Sequence, residues 1–195
     1  MSNGSPFEVI AAPYTLYLAP VGTAFPAIAA APASPWVKIG TSGDLNYMEE
    51  GVTVQHSQTI ELWRALGDPG PRKAFRTEEG LLISVQLADL TLEQYALALN
   101  HNAVTETANV RKIGLSRGVG VEQRALLARG PSPYDEGLNA QYEVPIAVQM
   151  GEPEVVFRRG GEPAALALQW AALIDVSADP VTERFGRLLV DDGAT

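Results

Sequence analysis

The sequence predicts one mainly β domain of the α+β class, a β-sandwich or barrel with a single flanking α-helix, spanning residues 1–195. Short runs of alternating polar and apolar residues recur along the chain, with glycine and proline between them. Only one segment has the spacing of an amphipathic helix. A chain of 195 residues can bury one sizeable core, and 46% hydrophobic with 19% charged residues is typical of a globular domain.

The first third of the chain is predicted to contain an arm, two strands and a loop. Residues 1–13 form the arm. In YTLYLA, the residues Tyr14, Leu16 and Leu18 fall on one face of a strand. Prolines punctuate residues 24–35, which favours an irregular loop over a helix. The loop leads into WVKIG, which has the pattern of a short strand closed by glycine.

The longest predicted element is a β-hairpin over residues 51–88, which reverses at GDPGP. Each strand runs for about ten residues or more, beyond the usual 5–6. One face is apolar, interrupted by His56 and Gln58, and carries Val52, Val54, Ile60, Leu62, Leu81, Ile83, Val85 and Leu87. The other face is polar and carries Thr53, Gln55, Ser57, Thr59, Glu61, Arg76, Glu78, Ser84 and Gln86, with Leu82 as the exception. Near the reversal both faces become polar or charged, so this end of the hairpin is predicted to project from the domain.

The single helix is predicted over residues 91–100. Thr91 and Gln94 have the spacing of a capping box, and Leu90 lies where it can contact Tyr95 as a hydrophobic staple. Leu92, Tyr95, Ala96 and Leu99 form one apolar stripe. The remaining chain is predicted as strands over residues 110–116, 123–129, 141–150, 154–159, 164–176 and 184–190, the last of them within a C-terminal segment at 176–195. Pro145 predicts a sheet edge or a bulge.

No residue is predicted to be catalytic, or to bind a cofactor or a metal. GLSRG matches the G-x-S-x-G motif of hydrolases with Ser116 as nucleophile, but that motif requires a following helix and a later histidine. Both histidines, His56 and His101, precede the serine. Two distant histidines without cysteine are not a zinc pattern. Adjacent carboxylates such as Glu78 and Glu79 point to opposite faces of a strand, so they do not form an acid–base pair.

Charge and hydropathy restrict the partners. The net charge of −9 argues against tight binding of nucleic acid, because phosphate binding normally requires clustered lysine and arginine. No run approaches the ~18 apolar residues that a membrane span requires. The first residues lack a basic region and are interrupted by proline, so neither secretion nor membrane insertion is predicted.

The overall pattern resembles the major tail tube proteins of long-tailed bacteriophages. The matching stretches are APYTLYLAPVGTAFP, WVKIGTSGDLNY, EEGVTVQHSQTIE, RALGDPGPRKAFRTEEGLLISVQLADLTLEQYALALN and YEVPIAVQ with EPAALALQWAALID, within residues 8–175. The resemblance implies six subunits to a ring, and rings stacked into a tube that conducts DNA from capsid to cell. It implies a place in the virion tail, assembly in the host cytoplasm, and contacts with tape-measure, tail terminator and distal tail proteins.

Two sets of site residues follow from the resemblance and the charge pattern. The hairpin strands are expected to help line the bore, through Thr53, Gln55, Ser57, Thr59, Glu61, Glu78, Ser84 and Gln86. DNA would pass this acidic, hydroxyl- and amide-rich wall without tight binding. The loop between the strands is expected to contact an acidic surface of the next ring through Arg64, Asp68, Arg72, Lys73 and Arg76. The alternatives are a tail terminator or head–tail joining ring protein of similar fold, and a hydrolase acting through Ser116.

Overall fold

Strands dominate the structure, a computed structural model that describes residue 10 and residues 12–193 except 136, 158 and 162. The predicted mainly β class with one helix is confirmed. Within the described residues the elements are β1 Thr15–Pro20, β2 Val37–Lys38, β3 Tyr47–Trp63, β4 Lys73–Leu87, α1 Leu92–Ala98, β5 Thr105–Thr107, β6 Val110–Lys112, β7 Gln123–Pro131, β8 Asn139–Gln149, β9 Leu166–Ala172 and β10 Arg187–Val190. Short 3₁₀ turns cover Gly43–Asn46 and Val181–Glu183. Almost all of the predicted arm, residues 1–13, lies outside the described residues.

One antiparallel sheet contains eight of these strands. Its order is β2-β1-β7-β8-β9-β4-β3, and β5 with β6 forms a separate small hairpin. Strand β7 pairs along one edge of β8. The other edge of β8 is divided, because β9 pairs with residues 147–149 and β10 pairs with residues 140–143. The C-terminal part of the chain therefore completes a sheet begun far upstream.

The core forms where the two halves of this sheet meet. Leu16 of β1, Leu126 of β7 and Val144 of β8 belong to the same buried cluster as Ile83 of β4 and Trp170 of β9. The sheet thus curls over on itself, and burying these side chains supplies the main driving force for the fold. The predicted inward faces of β1 and β4 are confirmed by the burial of Leu16, Leu18, Leu81, Ile83, Val85 and Leu87.

The second face of β7 and β8 is covered by the proline-rich loop at residues 24–35. Phe25 lies with its ring centroid 5.1 Å from that of Trp36, and both belong to a small apolar cluster with Ala125 and Leu127. The loop carbonyls accept hydrogen bonds from the sheet, including one of 2.9 Å from Gln141 to Pro26. This part of the sheet is buried on both faces, which explains the uninterrupted apolar run ALLA in β7.

Tyr47 fixes the start of β3 against the first two strands. Its hydroxyl donates to the carbonyl of Ile39 and accepts from the amide of Leu16, both at 3.0 Å. Burial raises the pKa of Tyr47, so the phenol stays neutral and keeps both hydrogen bonds. The long strand therefore leaves the core from a fixed point.

Pro145 lies at a β-bulge, which is one of the two alternatives that the sequence predicted. Between β7 and β8 the register passes from Arg124 opposite Ala147 to Leu126 opposite Val144, so Pro145 and Ile146 face the single residue Ala125. A proline has no amide hydrogen to donate, and a bulge tolerates that loss within the sheet.

Several predicted elements are shorter than expected or absent. Residues 154–157 form no strand, and the predicted strand over 110–116 is reduced to Val110–Lys112. The long apolar run at 164–176 yields only Leu166–Ala172 as a strand. Among the described residues, no helix has the length and apolar content of a membrane span.

The predicted capping box of α1 is wrong. Thr91 makes no side-chain hydrogen bond to the helix, and the carboxamide of Gln94 instead accepts from the amide of Gly40 at 2.8 Å. The carboxylate of Asp89, just before the helix, accepts from the amide of the N-cap residue Thr91 at 3.0 Å and from the amide of Thr41 at 2.8 Å. Tertiary contacts with the 40–41 turn thus replace the local motif.

We expect Asp89 to make stability acid-sensitive. Burial would raise its pKa, but hydrogen bonds from Thr41 and Thr91 outweigh that effect and lower the pKa to about 2, from 3.8 when unfolded. The contribution is fully present above about pH 4 and is lost as the pH falls through 2. Asp89→Asn should lower the free energy of unfolding by about 1–2 kcal/mol at pH 7. Urea unfolding should show that difference shrinking between pH 4 and 2.

The exposed Glu154→Gln variant serves as the control for this measurement. A difference between wild type and Asp89→Asn that stays constant from pH 7 to 2 would contradict the role assigned to the carboxylate.

Candidate functional site: the β3–β4 ribbon

The candidate site is the ribbon formed by β3 and β4. The two strands pair from Val52 opposite Val85 to Trp63 opposite Lys73. Val52 and Val54 pack on the core, whereas every residue of β3 from 55 to 63 and of β4 from 73 to 79 is exposed. At about 3.3 Å per residue, the solvated outer part extends over roughly 23 Å. The ribbon is therefore anchored at its base and solvated at its other end.

One face of the ribbon collects the polar side chains that the alternation predicts. Thr53 pairs with Ser84, Ser57 lies opposite Gly80, and Thr59 donates to Glu78 at 2.9 Å. All eight residues expected to line a bore share this face, namely Thr53, Gln55, Ser57, Thr59, Glu61, Glu78, Ser84 and Gln86. Their exposure to a bore stays a prediction. Hereafter they are called the polar face.

A β-bulge separates Arg76 from the polar face. The register shifts between Thr59 opposite Glu78 and Ile60 opposite Arg76, which leaves Thr77 as the extra residue. Arg76 therefore lies on the other face, where its Nε donates to Gln58 at 3.1 Å and its Nη1 contacts Glu79 at 3.2 Å. The prediction that Arg76 and Glu78 share a face is wrong. As a result, the eight residues of the polar face include two carboxylates and no cation. The same side of the ribbon continues with Phe75 opposite Glu61 and ends with Trp63 opposite Lys73.

The outer end of the ribbon, residues 60–76, is called the tip. Of its five predicted contact residues, Arg72 pairs with Asp68, Arg76 with Glu79, and Lys73 lies 5.0 Å from the ring centroid of Phe75. The expectation that both faces here are only polar or charged is wrong. Large apolar side chains are exposed, namely Ile60, Leu62, Trp63, Leu66 and Phe75. Sequence alternation assigned the first two to a core face, but the core does not extend this far.

A shallow groove of about 320 Å³ lies at the base of the polar face. Hydroxyl and amide side chains line it, including Thr53, Ser84 and Gln169, together with Glu50 and Glu152. Among the described residues, no three histidine or acidic side chains come close enough to hold a metal ion. The groove can form hydrogen bonds and repel anions.

The structure gives Ser116 none of the surroundings of a nucleophile elbow. Residues 113–122 contain neither strand nor helix, and the hydroxyl of Ser116 accepts from the amide of Gly118 at 3.3 Å. Among the described residues, no hydrogen bond joins its hydroxyl to His56 or His101. Burial, together with nearby Arg124, lowers the pKa of His101 at the end of α1.

A buried ionic contact escaped the sequence analysis. Glu143 of β8 is 2% exposed, accepts from Gln141 at 2.6 Å and pairs with Arg187 of β10 at 2.7 Å. The hydrogen bond to Glu143 raises the pKa of Arg187. In the alternating pattern of β8, Glu143 lies on the face opposite Tyr142 and Val144, and the loop at 24–35 together with Arg187 of β10 covers its carboxylate there. Because both covering elements are distant in the chain, no local sequence pattern could show that Glu143 is buried.

We expect Arg187→Ala to destabilise the fold by about 2 kcal/mol, because it leaves the buried carboxylate of Glu143 without its cation. Chemical denaturation measures this loss. Arg111→Ala, which removes an exposed partner of Glu93 and Glu106, is the matched control and should cost less than about 1 kcal/mol. Equal costs for the two variants would contradict a structural role for the Glu143–Arg187 pair.

Comparison with known proteins leaves the site to be interpreted on its geometry. No protein-family model matches the chain, and no curated protein matches it in sequence.

Proposed function

We propose that the chain is a structural subunit of a phage tail tube, in which hexameric rings stack to form the channel for DNA ejection. It would be assembled in the host cytoplasm and reside in the virion tail. The observation that carries this proposal is the polar face of the ribbon, a long exposed wall with two carboxylates and no cation over most of its length.

The free edge of β3 supports assembly. β3 is the terminal strand of the eight-stranded sheet, and its 17 residues pair only with β4 among the described strands. A long unpaired edge is a template for pairing with another chain. In a closed ring each subunit would offer its ribbon to a neighbour, so that six ribbons form one continuous inner barrel and no edge remains.

The chemistry of the polar face suits a DNA channel. Hydroxyl and amide groups keep the wall hydrated, and Glu61 with Glu78 repels phosphate. The polar face contains no lysine or arginine, so DNA that passes along it gains no binding free energy from counterion release. The DNA therefore slides without being held. The bulge at Thr77 contributes by turning Arg76 to the other face. Tape-measure, tail terminator and distal tail proteins would be its partners.

We expect the purified protein to form six-membered rings and open-ended tubes, because ring closure pairs the free edge of β3. Electron microscopy and sedimentation at increasing concentration would measure this. Monomers alone, even after addition of a tail tip as nucleus, would contradict the proposal. Single rings that never lengthen would favour a terminator or joining ring protein instead.

We expect the triple substitution of Gln55, Ser57 and Thr59 by lysine to make assembled tubes retain DNA at low salt. The added cations would neutralise DNA phosphates and release the counterions bound to them. Retention should fall steeply as salt is added. Lysine at Thr105, Thr107 and Val110 of the separate β5–β6 hairpin adds the same charge elsewhere and is the control. Equal DNA retention by the two triple variants would contradict the placement of the polar face in the bore.

A further inference from the structure

We propose that residues 5–10, Ser-Pro-Phe-Glu-Val-Ile, bind in a groove beside the outer edge of β4 in the same subunit. Bound there, these six residues, called the N-terminal segment, keep that edge from pairing with another copy until assembly. The contact itself concerns a single subunit, whereas its effect on assembly rests on the proposed function.

The groove lies between the outer part of the ribbon and residues 174–188, and is called the β4 groove. Its inner part of about 300 Å³ is lined by residues of the ribbon, of β8 and of β10. Its outer part of about 510 Å³ continues along the ribbon. Both parts share Glu79, Thr182 and Phe185, so they are continuous. A groove of this size can hold a short peptide.

One wall of the β4 groove is an unpaired strand edge. β9 pairs with β4 only as far as Leu82, so within the described chain no strand lies beside the edge of β4 from Arg76 to Leu81. These six residues all line the groove. An extended peptide placed there forms main-chain hydrogen bonds with the edge, as peptides that add a strand to a sheet do. The groove therefore favours an extended peptide as its occupant.

The opposite wall is apolar and carries a free cation. Ile174, Val181 and Leu188 line the groove and are each exposed over about half of their surface or more. Arg184 lines the same wall and makes no ion pair with any residue that the structure describes. A peptide that fits this wall combines apolar side chains with a carboxylate.

The N-terminal segment has this composition. In an extended chain Phe7 and Val9 point to the same side, where they can cover the apolar wall. Glu8 between them supplies one carboxylate for Arg184. Pro6 restricts the backbone of the residue before it to extended conformations, which lowers the entropy lost when a strand forms.

The described chain begins its first strand close to the β4 groove. Tyr14 immediately precedes β1, and its ring centroid lies 6.2 Å from that of Tyr142, which lines the inner part of the groove. Four residue steps separate Tyr14 from Ile10 and span at most about 13 Å. A segment tethered this closely has a high effective concentration at the groove, which favours binding within one subunit.

Occupation of the β4 groove would regulate assembly. In the proposed ring six ribbons form one barrel, so the free edge of β3 in one copy pairs with the outer edge of β4 in the next. The N-terminal segment competes for that same edge. A dilute subunit would therefore stay unassembled despite its long free edge, and β3 of an incoming copy would displace the segment at a growing end.

Cross-linking tests the contact, since the chain contains no cysteine. In a variant with Val9→Cys and Thr182→Cys, a short bismaleimide should join the two positions within one chain at concentrations where sedimentation shows monomers. Cysteine is itself a small apolar residue, so the contact is retained.

Val9→Cys with Leu115→Cys is the matched control. Leu115 is exposed in the loop whose Arg117 contacts Gly151 at the base of the polar face, so this pair should give no product within one chain. Absence of the Val9–Thr182 product, or its formation only between two chains, would overturn the proposal.

Hydrogen exchange measures the protection of the strand edge. Phe7→Ser removes the largest apolar side chain of the N-terminal segment, so amides of residues 76–81 should exchange at least about threefold faster than in the wild type. Phe157→Ser removes an exposed phenylalanine that lines neither part of the groove, and it should leave their exchange unchanged. Equal exchange rates in the two variants would overturn the proposal.

Sedimentation and electron microscopy separate the contact from the proposed function. Phe7→Ser should form rings and tubes at a lower concentration than the wild type, without a tail tip. Assembly at the same concentration would overturn the regulatory role. Wild-type tubes from subunits that show no Val9–Thr182 cross-link would retain the tube and remove the contact. The cross-link in a protein that never forms rings would retain the contact and remove the proposed function.

Discussion

The burial of one half of β4 determines the geometry of the ribbon. Leu81, Ile83, Val85 and Leu87 are held in the core, and a shift of one residue would turn all four toward solvent. β3 takes its register from this anchored strand, with Tyr47 fixing its start against β1 and β2. The outer half of the ribbon has no core contacts of its own. The buried half of the ribbon therefore determines which side chains lie on each face of the outer half.

The sequence predicted correctly those features that depend on residues close to one another in the chain. The inward faces of β1 and β4, the irregular loop at 24–35 and the irregularity at Pro145 all follow from residue spacing or from the missing amide of proline. The polar face was likewise readable, because alternation on a strand needs no tertiary information. The register then joined residues of both strands on that face, from Thr53 to Gln86.

Other features depend on contacts distant in sequence, and the sequence alone misplaced them. The bulge at Thr77 reverses the face of Arg76 without any glycine or proline to mark it. Glu143 has the pattern of a surface residue, yet a loop more than 100 positions upstream and a strand 44 positions downstream cover it. The spacing of Gln94 fits a capping box, but its carboxamide oxygen accepts a hydrogen bond from the amide of Gly40 instead. In each case a tertiary partner outweighs the local preference.

The outer ribbon also has a distinct dynamic character. Beyond Gly80 its backbone hydrogen bonds form a single ladder with solvent on both faces, and no third strand of the described part of the chain lies beside it. Opening a rung there uncovers no core, so little free energy opposes it, whereas opening the inner half of β4 disrupts packing on both neighbours. Amide hydrogens should therefore exchange with water progressively faster along one continuous strand of 15 residues, from Leu87 out to Lys73. A single strand thus spans much of the range of local stability available to the whole molecule, and immobilising its outer half costs conformational entropy that only a binding partner can offset.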